Sequence, residues 1–455
     1  MKQKPYPLEA LFGTIITPFE RFLRQTTSGG IILVVMTICT LLIANSPWGH
    51  TFQRFWERPV GFTFDSWILE RPLREWINEG LMALFFLVVG LELKREILVG
   101  ELSSFQNAVL PVAGAAGGMV MPALIYHLLN PGEPEAIGWG IPMATDIAFA
   151  VGILVLLAWR IPRNLIIFLM ALAIADDLGA VLIISLFYTQ GINLTLLGIA
   201  GGLLLVLIFF NRGGIRHVLP YAIVGVLLWL ALLESGIHAT VAGVMLAFAI
   251  PARPSHTPLQ FDMRIEELKH AFHDTALNND GSGSPLSDHR MAAIAEEVEG
   301  AAKAVQSPLQ RLEHILSPWV TFGVIPLFAA ANVGIRFSTL NVGQMLVHPV
   351  TLGVIAGLVA GKFLGIAGVS WLAVKAGIAQ LPTGVAWRHL LGAAWLGGIG
   401  FTMALFISQL AFAGDQTLLE AAKLGILISS VIAASVGLLW LLLVTKTQKV
   451  QSMKK

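Results

Sequence analysis

The chain of 455 residues is poor in charged side chains and contains one cysteine. Charged residues make up only 13% of it, hydrophobic residues make up 56%, and the mean hydropathy is +0.75. This composition excludes an ordinary soluble or disordered chain, in which about a quarter of the residues are charged. A lone Cys39 excludes an intramolecular disulfide and a Cys-x-x-Cys metal site. A net charge of +1 gives no electrostatic footprint for binding nucleic acid.

Long stretches without charge are instead abundant. Residues 178–211, 337–361, 389–414 and 424–445 each lack Asp, Glu, Lys and Arg, and each is longer than the ~20 residues that a membrane-spanning helix needs. The pattern predicts an all-α polytopic membrane protein. Its twelve predicted spans are 28–45, 74–93, 107–127, 138–157, 164–188, 194–210, 217–233, 238–250, 318–332, 349–374, 387–412 and 418–444.

The segments between these spans divide the chain. Residues 8–27 form an amphipathic stretch that separates Met1 from the first apolar run, so the N-terminus is not a cleavable signal peptide, and we expect an interfacial helix. The polar loop after the eighth span suggests a flexible linker between two short helices. The predicted divisions are an N-terminal segment 1–27, spans one to eight in 28–250, a cytoplasmic loop 251–316, spans nine to twelve in 317–445, and a tail 446–455.

The distribution of Lys and Arg predicts the orientation. With the N-terminus inside, the inner segments hold 22 of the 29 basic residues, the outer segments hold five, and Lys362 and Lys423 fall within spans. Basic residues are enriched on the cytoplasmic side of membrane proteins. Both termini are therefore predicted to be cytoplasmic.

The first external loop is rich in aromatic residues. Residues 46–72 carry Trp48, Phe52, Phe55 and Trp56 before a Glu-Arg-Pro sequence, with more aromatic residues after it. We interpret the loop as an external β-hairpin with aromatic faces. The alternative is an aromatic belt at the membrane interface.

Two spans carry signals that break a helix. The fourth span contains glycines and a proline over 138–146, and the eleventh contains Gly-Gly-Ile-Gly-Phe-Thr over 397–402. The two breaks occupy matching places in two blocks of three spans, which predicts inverted-topology repeats with two discontinuous helices and a transport site between them. Glycines at four-residue spacing, at 114 and 118 and again at 357, 361 and 365, further predict close helix packing.

Four ionisable residues lie inside predicted spans: Asp146, Asp176, Asp177 and Lys362. Each costs about 3 kcal/mol at the bilayer centre, so such residues are normally functional. Three carboxylates and one lysine leave a net charge of −2 in a medium of low dielectric constant, so the site should take up protons or a cation. Carboxylates, the Thr145 hydroxyl and carbonyls freed by the break are suitable ligands for Na⁺.

Protons and Na⁺ that compete for the same carboxylates make an exchanger rather than an enzyme. One cation leaves a charge of −1 uncompensated, so more than one proton is expected to exchange for each cation. An intramembrane aspartyl protease also uses two Asp residues, but its Gly-x-Gly-Asp motif is absent and it has no need of Lys362. A symporter with inverted repeats would not require three carboxylates and a lysine, and a scaffold without transport would not tolerate their insertion cost.

Together, the motifs around these residues resemble the NhaA family of bacterial Na⁺/H⁺ antiporters over roughly residues 15–445. They are Ala-Thr-Asp-Ile-Ala-Phe-Ala at 144–150, Asp-Asp-Leu-Gly-Ala at 176–180, Gly-Lys at 361–362, and Gly-Ile-Gly-Phe-Thr-Met at 398–403. The resemblance implies that Asp176 pairs with Lys362, and that Asp177, Asp146 and Thr145 bind Na⁺ or Li⁺.

The same resemblance implies electrogenic sodium extrusion and pH homeostasis in the bacterial inner membrane, with no cofactor beyond the transported ions. It also implies alternating access around two crossing helices, and a homodimer joined through an external hairpin at 46–66.

Alkaline activation is a further implied property. The residues at the corresponding positions are Glu92, Arg95, Glu96, Arg311 and Glu313 at the cytoplasmic side and His238 at the external side. The alternative is a charge network that only orients helix ends, with His238 as an ordinary hydrogen-bonding residue. The chain departs from common members at Gln310, where Lys is usual, at Ser317, where His is usual, and in its longer 251–316 connection.

Overall fold

The computed structural model describes residues 26–64, 67–189, 191–278, 289–337 and 341–445. Helices dominate this part of the chain. The tail 446–455 and nearly all of the predicted interfacial helix 8–27 lie outside the described residues, as does most of the linker within the cytoplasmic loop.

Twenty α-helices and two strands follow in chain order: α1 Thr26–Ala44, α2 Gly49–Trp56, β1 Pro59–Phe64, β2 Trp67–Pro72, α3 Leu73–Glu75, α4 Met82–Val99, α5 Phe105–Leu129, α6 Ile147–Leu156, α7 Arg163–Phe187, α8 Leu194–Arg212, α9 Val218–Ser235, α10 Val241–Ala249, α11 Pro258–Asn278, α12 His289–Val305, α13 Pro308–Trp319, α14 Ile325–Asn332, α15 Val342–Leu346, α16 Pro349–Ala356, α17 Lys362–Lys375, α18 Trp387–Leu396, α19 Phe401–Ala411 and α20 Gln416–Val444. Short 3₁₀ segments occupy Glu101–Ser103 and Glu135–Met143, and π-helical turns occupy Trp76–Leu81, Val320–Val324 and Gly357–Gly361.

Eight helical segments of the described chain are long and apolar enough to cross a membrane. Two further pairs of helices, α1 with α2 and α18 with α19, are bent at a short break, and the number reaches ten if each pair is counted as one span. These ten match ten of the twelve predicted spans in position. The other two predictions fall on α4, which carries four charged residues near its C-terminal end, and on α10, which has only nine residues. The count of twelve and the inverted repeat therefore stay predictions.

The predicted external hairpin is present but shorter than expected. β1 and β2 pair antiparallel, with Pro59 opposite Pro72 and Phe64 opposite Trp67. The prediction is wrong for 46–58, because this part contains helix α2, in which Phe52 and Trp56 lie one turn apart and their rings contact edge to face at 5.7 Å. Aromatic residues spaced four apart fit one face of a helix as readily as they fit a strand.

The loop predicted to be cytoplasmic is more helical than expected. It forms α11 of 21 residues and α12 of 17 residues, which pack against each other. The predicted boundary at 316/317 falls inside a continuous helical run, because α13 begins at Pro308 behind a capping box formed by Ser307 and Gln310. Pro318 lies within this run and is followed by a π-helical turn rather than by a helix start.

Close approach of α5 and α17 confirms the prediction made from the spaced glycines. A Cβ atom added to Gly365 would lie 2.1 Å from the carbonyl oxygen of Gly117, and one added to Gly361 would lie 2.7 Å from Cα of Pro122. The backbones of the two helices are therefore in direct contact. This contact places Lys362 against the core of the helical assembly.

We expect Gly365→Ala to destabilise the protein by about 1–3 kcal/mol, because the new methyl group overlaps backbone that cannot move aside cheaply. Gly368→Ala, in the same helix, meets nothing within 4 Å and serves as the matched control. Thermal unfolding of both purified variants tests this expectation. Equal melting temperatures for the two variants would contradict the close contact.

Candidate ion-binding site

Two non-helical stretches meet inside the helical assembly. Between the 3₁₀ segment and α6 the chain is extended at 144–146, and between α18 and α19 it is non-helical at 397–400. The backbone N–H of Asp146 donates to the carbonyl of Ile399 at 2.6 Å, and the Thr145 hydroxyl donates to the carbonyl of Gly397 at 2.8 Å. Each stretch thus satisfies polar groups of the other, as buried irregular backbone must.

Small residues allow the two stretches to touch. A Cβ atom on Gly400 would lie 3.2 Å from the carbonyl oxygen of Ala144 in the first stretch, and one on Gly398 would lie 2.4 Å from the carbonyl oxygen of Leu358 in the neighbouring π-helical turn. Close beyond the breaks, the rings of Phe149 and Phe401 contact edge to face at 5.2 Å. Gly400 therefore allows the two stretches to touch, and Gly398 allows the second stretch to pack against the π-helical turn before α17.

Asp146 joins the starts of two helices. As the N-cap of α6 it accepts a hydrogen bond from the N–H of Phe149 at 3.2 Å. Its second oxygen accepts from the N–H of Thr402 at 3.0 Å and from the Thr402 hydroxyl. Helix N-termini carry partial positive charge, so both α6 and α19 stabilise negative charge at this carboxylate.

Thr402 is absent from the residues predicted as ligands or charge partners. The sequence contained a signal for Thr402, because a threonine lies at each helix break: Thr145 at the first and Thr402 just after the second. Sequence alone did not indicate that Thr402, rather than Thr145, donates to Asp146.

We expect Thr402→Val to raise the apparent KM for Na⁺ about tenfold, since a hydrogen bond to a charged group contributes roughly 1.5–3 kcal/mol. The valine variant keeps the backbone N–H bond to the same Asp146 oxygen but loses the hydroxyl bond, so the carboxylate is held less firmly. Thr402→Ser keeps the hydroxyl and is the control. Initial rates of Na⁺-dependent proton movement, measured over a range of Na⁺ concentrations, test this expectation, and an unchanged KM in the valine variant would count against it.

Asp176 and Lys362 form a buried ion pair. Both side chains are fully buried, and the Lys362 ammonium contacts Oδ2 of Asp176. The lysine stem packs near Gly118, where an added Cβ would lie 3.6 Å from Cδ of Lys362. The partnership implied by the resemblance is therefore present in the geometry.

Asp177 differs sharply from its neighbour. It is fully buried, and neither of its carboxylate oxygens has a hydrogen-bond partner in the part of the chain that the structure describes. Oδ1 of Asp176 is also unpartnered there. Asp146, Asp176 and Lys362 all lie near enough to influence Asp177 electrostatically. Buried polar atoms are nearly always satisfied, so these oxygens indicate a place for a proton or a cation.

Within the described residues, no group of three or more His, Cys, Asp or Glu side chains could hold a metal ion. A cation at Asp177 would therefore need hydroxyl, carbonyl or water oxygens to complete its ligands. Such oxygens are the usual donors for hard cations. The non-helical stretches at 144–146 and 397–400 bring hydroxyls and carbonyls of this kind.

A cavity of about 680 Å³ lies between α5 and α7 on the predicted cytoplasmic side. Its polar lining residues include Glu101, Asn107, Asn164 and Thr383, and its apolar lining residues include Ala171. Ala171 precedes Asp176 by five residues on α7, which is about 7.5 Å along the helix axis. Along α7, the lining residues of the cavity thus come within roughly one and a half helical turns of Asp176.

The residues at positions associated with pH response lie in two places. Arg95 pairs with Glu313 at 3.2 Å and with Glu96 at 3.4 Å, which links α4 to α13. Glu92 lies close enough to be influenced by the charges of this cluster, and Arg311 forms no ion pair among the described residues.

His238 is far from that cluster in the chain and lies in a different network. Its Nδ1 is 3.4 Å from Oε1 of Glu79, and its Nε2 is 3.0 Å from the Tyr188 carbonyl oxygen. Glu79 also accepts a hydrogen bond from the N–H of Ala239 at 3.0 Å. His238 therefore helps to hold the start of α10 in place.

Comparisons with known proteins cover almost the whole chain. Residues 20–441 match the family model described as Na⁺/H⁺ antiporter 1. The chain is 61% identical to the Na⁺/H⁺ antiporter NhaA of Syntrophobacter fumaroxidans over 97% of this chain and 93% of that protein. It is 57% identical to the Na⁺/H⁺ antiporter NhaA of Acidithiobacillus ferrooxidans, over 95% and 98% of the two chains. It is 48% identical to the Na⁺/H⁺ antiporter NhaA 1 of Saccharophagus degradans, over 97% and 94%.

Proposed function

The chain belongs to the Na⁺/H⁺ antiporter 1 family, and on that premise we propose that it exchanges Na⁺ or Li⁺ for protons across the bacterial inner membrane. The observation that carries this proposal is Asp177, a buried carboxylate with two unpartnered oxygens beside the crossing of two non-helical stretches. A group in this state binds either a proton or a cation. Competition between the two is the basis of exchange.

The proposed ligands are oxygen atoms of three residues. Asp177 and Asp146 supply carboxylate oxygens, and Thr145 supplies a hydroxyl that in this state donates to Gly397. Asp146 is held by two helix N-termini, so it remains oriented while Asp177 changes its occupant. Alternating access follows if the two stretches shift together and open the site to one side at a time.

More than one proton exchanges per cation in this proposal. Asp146, Asp176 and Asp177 carry three negative charges against one positive charge on Lys362, so a single Na⁺ leaves −1 uncompensated while two protons cancel the whole charge. Exchange is then electrogenic. Reversal potentials in proteoliposomes measure the ratio directly, and one-for-one exchange would exclude this part of the proposal.

Alkaline activation is assigned to the link between α4 and α13. The Arg95–Glu313 pair joins these helices at the cytoplasmic end, and a change of charge among its acidic neighbours would alter how firmly the helices are held together. His238, held by Glu79 and the Tyr188 carbonyl, is assigned a positioning role on the external side.

The assembly in this proposal is a homodimer, with both termini in the cytoplasm. The two-stranded sheet of β1 and β2 has open edges, and an exposed strand edge can pair with the same strand of a second copy.

No cofactor is assigned, because Na⁺, Li⁺ and protons are the transported substrates. Sodium extrusion, driven by inward proton flow, is the physiological direction.

Everted membrane vesicles from a bacterium that lacks its own antiporters test the function. Respiration builds a pH gradient, a fluorescent probe follows it, and NaCl, LiCl or KCl is added between pH 6.5 and 8.5. We expect Na⁺ and Li⁺ to collapse the gradient, more strongly at higher pH. No response to any cation, with folded protein present in the membrane, would exclude the proposed exchange.

A further inference from the structure

A polar cavity of about 460 Å³ lies at the end of the molecule that the distribution of Lys and Arg assigns to the outside. It is bounded by α2, by the start of the helical run after β2, by residues 334 and 336, and by the first turns of α20. Its basic lining residues are Arg54, Arg74, Arg336 and Lys423, and His50 also lines it. We call this feature the basic external cavity.

The concentration of basic residues here is unusual for an outer face. Only five Lys or Arg residues fall in the predicted outer segments, and three of them, Arg54, Arg74 and Arg336, line this one cavity. Basic residues are disfavoured outside. Their convergence, joined by the span residue Lys423, indicates a local role for positive charge.

The acidic residues of the cavity do not neutralise it. Glu57 and Glu420 line it as well, so four basic side chains face two acidic ones. In the part of the chain that the structure describes, Arg74 and Lys423 form no ion pair. Arg71, nearby on β2, contrasts with them because it pairs with both Glu75 and Glu234 at 3.3 Å.

Lys423 is a deeply buried basic residue of this cavity. It is only 4% exposed and lines the cavity, where Glu420, one turn away on α20, acts on its charge without forming an ion pair with it. A buried charge that no ion pair compensates is unfavourable, and an anionic ligand would reduce that cost. The site is also unsuited to the entry of Na⁺, since its excess charge is positive.

We propose that the basic external cavity binds a phosphate-type oxyanion, with Lys423 at its buried end and Arg74 and Arg54 on its walls. Arginine and lysine are the side chains that bind phosphate oxygens best. The same chemistry is offered by inorganic phosphate and by the headgroup of an anionic phospholipid. This inference concerns a site separate from the carboxylates, so it stands whether or not the proposed exchange is correct.

Thermal unfolding of the purified full-length chain in detergent tests the proposal, followed by tryptophan fluorescence. One arm adds inorganic phosphate as its N-methylglucamine salt, with N-methylglucamine chloride at equal ionic strength as the reference, so that Na⁺ is never varied. A second arm adds phosphatidylglycerol to the micelles, with phosphatidylcholine as the reference. A ligand that binds only the folded protein raises its melting temperature.

We expect a rise of several degrees in the wild type. A rise with phosphate identifies a free anion as the ligand, and a rise with phosphatidylglycerol alone identifies a lipid headgroup. Lys423→Met should melt no lower than the wild type without ligand, because it removes a buried charge that forms no ion pair, and it should lose most of the rise. Lys303→Met, on the exposed helix α12, should keep the full rise. Arg54→Gln, nearer the surface, should show a reduced rise.

Two results would overturn the proposal. One is that neither phosphate nor phosphatidylglycerol raises the melting temperature above its reference. The other is that Lys423→Met keeps the full rise in melting temperature, whatever its melting temperature without ligand. Lys423 would then contribute only to the packing of α20.

Discussion

Replacing Asp177 with Asn should abolish Na⁺-dependent and Li⁺-dependent proton movement in everted vesicles while the protein remains at its normal level in the membrane. Asp177 is fully buried, and both of its oxygens lack a partner among the described residues. An amide has nearly the same shape as a carboxylate, but it neither takes up a proton at neutral pH nor offers negative charge to a cation. We expect the rate to fall at least about a hundredfold, to that of vesicles without the protein, because a lost direct charge contact costs several kcal/mol.

The fold should survive this change. Removing a buried charge that has no counterion relieves a desolvation cost, so the melting temperature of Asp177→Asn should equal or exceed that of the wild type. Asp415→Asn is the matched control, since the same chemical change is made at an exposed N-cap where Asn also caps well. Exchange retained in Asp177→Asn would remove this residue from the ion site.

Replacing Lys362 with Ala should lower the stability of the protein by about 3–5 kcal/mol, because Asp176 is then buried without its partner. The two side chains are in contact and fully buried, so solvent cannot replace the ammonium. Without that positive charge Asp176 keeps its proton to higher pH, and the pH dependence of any remaining transport should move to more alkaline values. Thermal unfolding and a pH series of transport rates measure the two effects.

A double variant separates the ion pair from simple packing. Lys362→Met combined with Asp176→Asn removes both charges and keeps most of the volume, so it should recover most of the stability lost by Lys362→Met alone. Transport should remain absent or weak. If the double variant is no more stable than Lys362→Met, or if Lys362→Ala leaves both melting temperature and pH profile unchanged, the buried pair does not act as described.

The charged centre was predictable because the membrane makes charge expensive. Asp146, Asp176, Asp177 and Lys362 stand out in apolar spans on insertion cost alone. Their partners were not predictable in the same way, since the sequence does not reveal which side chains meet when they are 186 or 256 residues apart in the chain. The resemblance to a known family supplied the Asp176–Lys362 pair, whereas the role of Thr402 at Asp146 required the structure.

The fold was predictable where hydropathy dominates and less so where it does not. Long apolar runs predicted the helices that could span a membrane. Hydropathy did not reveal α2, because its aromatic residues suit a strand or a helix equally. The helical character of α11, α12 and α13 in the polar loop was also underestimated, since hydropathy carries no signal for helices outside the membrane.

Proton release on cation binding tests the central claim most directly. The purified protein is placed in weakly buffered solution near pH 8 with a pH indicator, and NaCl is added in steps against an equal series of choline chloride. If Na⁺ and protons compete for Asp177 and its neighbours, Na⁺ should release protons in a saturable way, and Asp177→Asn should release none. Na⁺ binding without proton release, or release that is unchanged in Asp177→Asn, would contradict the account.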